Sequence, residues 1–481
     1  MTHDKLPLEP LFDKIEELKP RFIDRLTRAV AIKSVSADET LRPEVAKMAD
    51  FLVDELTALG FVDIQKKDLG IQPPPVNDPK LPLPPVVLAR SGADSSKKTV
   101  LIYGHYDVQP ALIEDGWNTD PFVLTHDTVK DILYGRGSTD DKGPVMGWLN
   151  VIEAHRQLGW ELPVNIVCCF EGMEESGSVG LPELIAQEAK KYFSTVDATC
   201  ISDNYWLGTR KPVLTYGLRG VHYYEIVVSG PAADLHSGIF GGMVGEPMTD
   251  LVKVMGSLVD SQGRIQIPGI AEMVAPLTDE EDKLYDPIDY SIDDLNDATG
   301  AKISLHDNKK DALKHRWRYP SLSLHGIEGG FSAPGAKTVI PARVSGKFSI
   351  RTVPNIEPRK LDQLVVDFCN EQFAKLGSVN TLKAQLIHDG NYWVSNPFND
   401  NFTAAAKATV DVWNIEPDFT REGGSIPITL SFEQELGKDV LLLPMGRGDD
   451  GAHSINEKLD MSNYINGCKT LGAYLHYYAK Q

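Results

Sequence analysis

The chain is predicted to be an α/β protein: a mainly parallel sheet with helices on both faces, plus an inserted α+β domain that carries an antiparallel sheet. Residues 98–204 alternate strand-like apolar runs with helical stretches, a pattern typical of a parallel sheet. After Tyr216 the pattern changes to alternating strands, which suit an antiparallel sheet. The length of 481 residues also favours two domains over one core.

The parallel sheet is predicted from strands and helices that follow one another in turn. The predicted strands are Thr99–Tyr103, Val164–Phe170 and Asp197–Ser202. The predicted helices are Val145–Leu158, which Gly143-Pro144 opens, and Pro182–Tyr192. This alternation implies right-handed crossovers between neighbouring parallel strands.

The antiparallel sheet is predicted to lie in an insert, because the chain afterwards returns to strand and helix patterns of the first kind. The strands of the insert are Val221–Val228, Ser321–His325 and Val344–Arg351, and Lys360–Leu376 is its helix. The strand Val440–Leu443 and the helix Ser462–Ala479 then close the first domain. We therefore expect a discontinuous domain of residues 1–215 and 389–481, with residues 216–388 inserted.

Composition excludes several classes of protein. The net charge of −20, from 48 basic and 68 acidic residues, predicts that the protein binds neither nucleic acid nor an anionic membrane surface. Apolar runs fall well short of the roughly 18 residues that span a bilayer. The five cysteines form no CxxC pair, and three of them lie in strand-like apolar runs, where buried free thiols are expected. The N-terminus lacks the apolar core of a secretory signal, and the expected location is the cytoplasm.

Five candidate metal ligands follow the predicted strands. His105 follows the first strand, Asp140 lies in the next loop, Glu175 follows the second strand, Asp203 the third, and His453 the C-terminal strand. Because the carboxyl ends of parallel strands meet at one sheet edge, these side chains are expected to converge.

The residue types in this set favour a metal centre. Taken singly, a histidine after a strand is more often structural, and the pair Glu174-Glu175 is more often a solvated turn. Two adjacent carboxylates at the mouth of a buried strand are unfavourable, however, unless a cation or proton compensates them. Two imidazoles with at least three carboxylates form a nitrogen and oxygen set that suits zinc or manganese.

Several segments of the chain resemble the M20 family of co-catalytic metallopeptidases, and most closely its cytosolic non-specific dipeptidase (carnosinase-like) branch. The resemblance covers nearly the whole chain. The segments that carry it are GHYDVQP (104–110), GRGSTDDKGP (135–144), CFEGMEESGS (169–178), CISDNYWLG (200–208), DLHSGIFGG (234–242), HRWRYPSLSLHGIEG (315–329), TREGGSIP (420–427) and DDGAHSINE (449–457).

The resemblance implies a dinuclear centre of two divalent cations, Zn²⁺ in the first place and Mn²⁺ as the alternative. Asp140 would bridge the two cations. His105 and Asp203 would complete one site, and Glu175 and His453 the other. Asp107 would fix the His105 imidazole, and Glu174 would act as general base. Such a centre lowers the pKa of bound water to about 7.

The resemblance also implies a substrate: unblocked dipeptides, with Cys-Gly from glutathione breakdown among them. Arg351 would grip the substrate carboxylate, and Thr338 and Ser425 would add hydrogen bonds to it. Glu422 would receive the α-amino group. His236 would stabilise the oxyanion from the partner subunit of a homodimer, so that residues 216–388 would serve as lid and dimerisation domain. The residues alone indicate a different role for His236, that of capping its own loop.

Two other functions stay open at this point. One is an N-acyl amino-acid amidohydrolase or an exopeptidase of the same architecture, which would keep the metal ligands but would not need an acid for the substrate amine. The other is a non-catalytic scaffold that retains the fold. A scaffold has no need for an unligated base beside a metal, so Glu174 disfavours it.

Overall fold

The computed structural model describes residues 5–481, apart from the side chain of Glu280. The strands are β1 Val62–Lys67, β2 Val86–Ser91, β3 Thr99–His105, β4 Thr125–Asp127, β5 Ile132–Tyr134, β6 Asn165–Glu171, β7 Ala198–Ile201, β8 Val213–Leu218, β9 Gly220–Ser229, β10 Leu235–His236, β11 Ser321–Glu328, β12 Val339–Ile340, β13 Arg343–Thr352, β14 Thr381–Gly390, β15 Trp393–Val394, β16 Asp418–Glu422, β17 Val440–Leu442 and β18 Lys458–Asp460.

The α-helices are α1 Glu9–Glu17, α2 Lys19–Val30, α3 Arg42–Ala58, α4 Lys142–Gln157, α5 Leu181–Glu188, α6 Ser237–Phe240, α7 Pro247–Gly256, α8 Ile270–Met273, α9 Asp279–Lys283, α10 Ile292–Thr299, α11 Lys309–Trp317, α12 Pro358–Lys375, α13 Asp400–Trp413, α14 Pro427–Leu436 and α15 Met461–Tyr478. Short 3₁₀ helices lie at Glu39–Leu41, Ile113–Asp115 and Glu174–Ser176.

The largest sheet has nine strands and is parallel at its centre. Its order is β1-β2-β6-β3-β7-β17-β8-β15, and β16 also pairs with β8. The neighbours β6, β3, β7 and β17 run parallel, whereas β1, β2, β8 and β15 join by antiparallel pairing. The sheet is therefore mixed, and the parallel arrangement expected from the sequence is found in the central strands. These strands are buried, which explains their continuous apolar runs.

Helices cover both faces of this sheet, as predicted. One face packs on a core built with α1, α2, α3, α4, α13 and α15, and the other packs on a smaller core built with α5 and α14. The central strands are held from both sides, so their carboxyl ends form a rigid edge.

A second sheet is antiparallel throughout, in the order β11-β13-β9-β14. Its apolar side packs on α7 and α12. We propose that this sheet and its helices form the insert predicted for residues 216–388. The chain leaves the large sheet after Leu218 and rejoins it at Trp393, which supports limits a few residues later than predicted. Within this span, Tyr285 and Trp317 belong to a buried apolar cluster that also contains Trp206.

Several predicted boundaries move by a few residues. Helix α4 begins at Lys142, earlier than predicted, and α5 ends at Glu188 instead of reaching Tyr192. Strand β16 was not predicted, because the sequence DFTRE lacks an apolar run and its place in the sheet depends on pairing with β8.

The expected burial of the cysteines is confirmed, since all five are buried and free. None of the helices formed by residues 5–481 combines the length and apolar character that a membrane crossing needs.

Candidate active site

The predicted ligands converge at the carboxyl edge of the central strands. Strand β3 ends at His105, and the 3₁₀ helix that follows β6 carries Glu174 and Glu175. Asp203 lies two residues beyond the end of β7, and Asp140 two residues before α4. His453 lies in the loop between β17 and β18.

The five side chains form two groups that share Asp140. His105, Asp140 and Asp203 have ligand atoms within 4.8 Å of one another, and so do Asp140, Glu175 and His453. His105 Nε2 lies 3.1 Å from Asp140 Oδ1, and His453 Nε2 lies 3.1 Å from Asp140 Oδ2. Each carboxylate oxygen of Asp140 thus faces a different imidazole, which is the arrangement a bridging ligand requires.

Asp107 connects the His105 imidazole to the loop that carries the two glutamates. Its Oδ1 lies 3.3 Å from His105 Nδ1, which leaves Nε2 facing Asp140 and Asp203. Its two carboxylate oxygens also accept the backbone N–H groups of Glu174 and Glu175, at 3.2 and 3.1 Å. Asp107 is fully buried, so it fixes these neighbours without meeting solvent.

Gly104 and Gly172 allow these segments to approach one another closely. A β-carbon on Gly104 would lie 2.7 Å from Asp141 Oδ2 and 2.6 Å from the Val145 side chain. A β-carbon on Gly172 would lie 2.4 Å from the Tyr106 ring. Larger residues at these two positions would push the strand ends away from the loops that carry the acids.

The charges of the cluster favour a bound cation. Burial alone would lower the pKa of His105, but the carboxylates of Asp203, Asp107 and Asp140 hold it well above its usual value. Hydrogen bonds to Asp140 and Glu175 raise the pKa of His453 to about 11. Burial also raises the pKa of Asp203 to about 6. So many carboxylates at one buried edge favour positive charge among them.

The donor set fits a pair of divalent metal ions. Ligands held about 2.0–2.2 Å from a tetrahedral ion lie roughly 3.3 Å from each other. His105 Nε2 lies 3.4 Å from Asp203 Oδ1, and His453 Nε2 lies 3.2 Å from Glu175 Oε2. Imidazole and carboxylate donors at these separations suit zinc or manganese.

A third acidic group, Asp449, Asp450 and Asp460, has its charge balanced by the protein. Lys458 Nζ lies within 3.1 Å of all three carboxylates, and Arg447 pairs with Asp449 and Asp460. We interpret this group as an ion-pair network that shapes the loop around His453.

A cleft of about 400 Å³ opens over the ligand cluster. Glu174, Glu422 and Ser425 line it, together with Asp140, Asp203 and His453. Burial, and then the Asp203 carboxylate, raise the pKa of Glu174 well above its usual value. Glu174 therefore combines access to the cleft with an affinity for a proton.

Arg351 contacts a residue that lines this cleft, because its guanidinium donates a hydrogen bond of 2.9 Å to Ser425 Oγ. Burial lowers its pKa, and the Glu422 carboxylate acts in the opposite direction. The structure thus brings together three of the residues predicted to contact substrate: Arg351, Glu422 and Ser425.

Glu422 has a partner that sequence reasoning missed. Arg316 donates to Glu422 Oε1 at 3.1 Å and itself lines the cleft. The backbone N–H of Gly423 donates to the same oxygen at 2.7 Å. The only signal for Arg316 was its position in the resembling segment 315–329, where an arginine near a helix end is unremarkable.

His236 and Thr338 lie outside the cleft of their own chain. Both residues are exposed, on the small two-stranded sheet of β10 and β12 or directly beside it. His236 Nδ1 accepts a hydrogen bond from the Gly238 N–H at 3.0 Å, which is the loop cap considered from the residues alone. Within one chain, therefore, neither residue contacts the ligand cluster.

Comparisons with known proteins identify a matching family and several similar proteins. Residues 101–477 match the model of peptidase family M20/M25/M40. The chain is 73% identical to the Cys-Gly metallodipeptidase DUG1 of Candida albicans, over 100% of this chain and 99% of that relative.

Two solved structures share the fold over almost their full lengths. The dipeptidase Dug1p of Saccharomyces cerevisiae superposes with a TM-score of 0.94 and is 62% identical, over 99% of both chains. Human carnosine dipeptidase 1 superposes with a TM-score of 0.92 and is 43% identical, over 100% of both chains. Because the family model covers most of its length and these relatives align from end to end, the chain belongs to peptidase family M20/M25/M40.

Proposed function

We propose that the protein is a dipeptidase that hydrolyses unblocked dipeptides, Cys-Gly among them, at a dinuclear metal centre. One observation carries the proposal: Asp140 presents one oxygen to His105 and the other to His453 beneath a cleft that Glu174 lines. The names of the fungal relatives, which specify Cys-Gly, support the choice of substrate.

In this proposal His105 and Asp203 would hold one cation, Glu175 and His453 would hold the other, and Asp140 would bridge them. The cations are Zn²⁺ in the first place, with Mn²⁺ as the alternative. When bound, such a pair supplies a nucleophilic hydroxide near neutral pH and polarises the scissile carbonyl. Asp107 keeps the His105 ring oriented so that Nε2 faces the centre.

Glu174 is the proton carrier of the reaction. It takes a proton from the attacking water and passes it to the departing amine. Burial raises the pKa of the Glu174 carboxyl above its usual value, which favours acceptance of a proton. The side chain lines the cleft beside Asp203, close to where the scissile bond would lie.

The ends of the substrate are recognised by opposite charges. Arg351, which Ser425 orients, receives the carboxylate, and Thr338 adds a hydrogen bond from the partner subunit. Glu422 receives the α-ammonium group, and its pairing with Arg316 fixes its position in the cleft. A free, charged amine would then pair with Glu422, whereas an acylated amine would not.

A homodimer would bring His236 to the oxyanion of the partner's substrate. Exposed large apolar side chains close to His236 in the sequence, and others on β11, support such an interface. Ile239 is 62% exposed and Met243 78%, and on β11 Leu324 and Ile327 are 44% and 43% exposed. The partners in this proposal are a small peptide and a second copy of the chain. The cytoplasmic location predicted from the N-terminus stays a prediction.

A paired assay tests the substrate class. Purified protein loaded with Zn²⁺ is given Cys-Gly and, in parallel, N-acetyl-Cys-Gly, and released glycine is measured. We expect rapid release from the free dipeptide and a loss of at least ~100-fold for the acetylated form, because the acylated amine carries no charge to pair with the Glu422 carboxylate. Cleavage of the acetylated form alone would favour an amidohydrolase, and no cleavage of either would favour a scaffold.

A further inference from the structure

The loop that carries Asp140 is held by one buried carboxylate, that of Glu457. Each of its oxygens accepts two hydrogen bonds. Oε1 accepts the backbone N–H groups of Thr139 and Asp140, at 2.9 and 3.1 Å. Oε2 accepts the guanidinium of Arg136 at 2.6 Å and the backbone N–H of Gly137 at 3.0 Å. The Glu457 side chain is fully buried, so these four donors satisfy it without solvent.

The position of Glu457 in the fold explains how it reaches this loop. It immediately precedes β18, which pairs with β5, and the loop carrying Asp140 begins directly after β5. The Gly135 N–H donates to the Glu457 backbone oxygen at 3.0 Å, which extends the strand pairing by one more hydrogen bond. The small sheet of β4, β5 and β18 therefore delivers the carboxylate to the loop.

Glu457 also belongs to the loop that carries His453, four residues earlier in the chain. The same loop is tied to the Asp140 loop a second time, because Thr139 Oγ1 donates to Asp450 at 2.9 Å. His453 itself is 60% exposed at its side chain, and its backbone lies in the left-handed region at φ 60°. Such an exposed residue depends on its loop for its position.

We propose that Glu457 is a positioning residue of the dinuclear centre: it fixes the Asp140 backbone against the His453 loop and so sets the distance between bridging and terminal ligands. The inference rests on the proposed metal centre and adds to it a residue that contacts neither cation nor substrate. Partners of this kind that orient metal ligands contribute about 10–100-fold to metal affinity.

The substitution Glu457→Gln is a sharp test, because it preserves shape and removes one acceptor. All four groups around the carboxylate are donors, so the amide NH₂ that the substitution introduces would face two of them in either orientation. A matched control is Glu153→Gln. Glu153 is another buried carboxylate that pairs with an arginine, Arg25, at 2.5 Å, on the helices α2 and α4.

The experiment measures Zn²⁺ affinity by competition with a chromophoric chelator, on wild-type protein, Glu457→Gln and Glu153→Gln. The absorption of Co²⁺-loaded protein serves as a second readout of ligand geometry. We expect Glu457→Gln to bind Zn²⁺ about 10–100-fold more weakly and to change the Co²⁺ spectrum. Glu153→Gln should match wild type in both, even if its thermal stability falls.

Wild-type affinity in Glu457→Gln would overturn the positioning role and leave the metal centre intact. Wild-type protein that takes up no Zn²⁺ would overturn the proposed function together with this inference. If Glu457→Gln does not fold, the positioning role is tested instead by hydrogen exchange on wild-type protein treated with chelator. The inference predicts that the amides of Gly137, Thr139 and Asp140 are protected there, and rapid exchange at these amides would overturn it.

Discussion

Glu174 and Glu175 are neighbours with different surroundings, and that difference separates their proposed roles. Glu175 Oε2 contacts His453 and accepts a hydrogen bond from Gln109 at 2.8 Å. Glu174 lines the cleft, and its backbone N–H contacts Asp107. A carboxylate that is not engaged by a ligand cluster can exchange protons, whereas one within the cluster cannot.

Replacing Glu174 with alanine should therefore remove turnover and leave the metal in place. We expect kcat to fall by about 10²–10⁴-fold, the usual contribution of a general base. Metal content, measured by mass spectrometry of the dialysed protein, should stay at two ions per chain. Glu175→Ala is the comparison, because it should lose metal as well as activity. Turnover close to wild type in Glu174→Ala would remove the residue from its proposed role.

The strands and helices differ in how well the sequence predicts them. Central strands such as β3 and β6 are buried on both faces, so their apolar runs reveal them directly. Strand β16 is polar, so it is recognised as a strand from its pairing with β8 and not from its sequence. The same holds for the site. The ligands were predicted because they follow the predicted strands, whereas Arg316, on helix α11, and Glu457 have partners more than 100 residues away in the chain.

The packing of α4 on α15 contains a histidine pair with a pH-dependent consequence. His155 Nδ1 donates to the Val151 oxygen at 2.8 Å, so its Nε2 accepts from His476 Nε2 at 3.0 Å. Burial, and then His155 and Lys480, lower the pKa of His476 to about 4. The unfolded chain has a pKa of about 6.5 at this residue, so it binds the proton first as the pH falls.

The pair should therefore make the protein less stable in mild acid. The contribution of His476 is fully present above pH 6.5 and declines as the pH falls towards 4. Between pH 7.5 and 5 the free energy of unfolding should fall by about 2 kcal/mol on account of this residue. The measurement is urea unfolding of wild type and His476→Gln at pH 7.5 and at pH 5, with chelator present. Between these pH values the free energy of unfolding should fall by about 2 kcal/mol less in His476→Gln than in wild type. His315→Gln, at an exposed position of α11, is the control. A pH dependence of His476→Gln equal to that of wild type would contradict this prediction.

At the scale of the whole molecule, the chain places part of its proposed machinery away from its own cleft. His236 and Thr338 are exposed and close together at β10 and β12, although the resemblance assigns both to the substrate. The sequence could not resolve this, because spacing along the chain does not distinguish a residue that acts in its own subunit from one that acts in a partner. A shared site reconciles the two observations.

Mixed subunits test the shared site. A His236→Ala subunit paired with a Glu174→Ala subunit should contain one complete site, built from the intact residue of each. Equal mixing after dissociation should restore about a quarter of wild-type turnover, since half of the two-fold dimers are then mixed. Mixing His236→Ala with the double variant His236→Ala/Glu174→Ala is the control and should restore none. No recovery in dimers verified to be mixed would count against a site shared between subunits.

The location of bound ions tests the dinuclear centre most directly. Crystals grown with Zn²⁺, and separately with Mn²⁺, are measured at the absorption edge of each metal. We predict two anomalous peaks per chain, one between His105 and Asp203 and one between Glu175 and His453, both in contact with Asp140. Crystals with ample metal in which this cluster holds no ion, or in which the five side chains do not converge, would contradict the proposal.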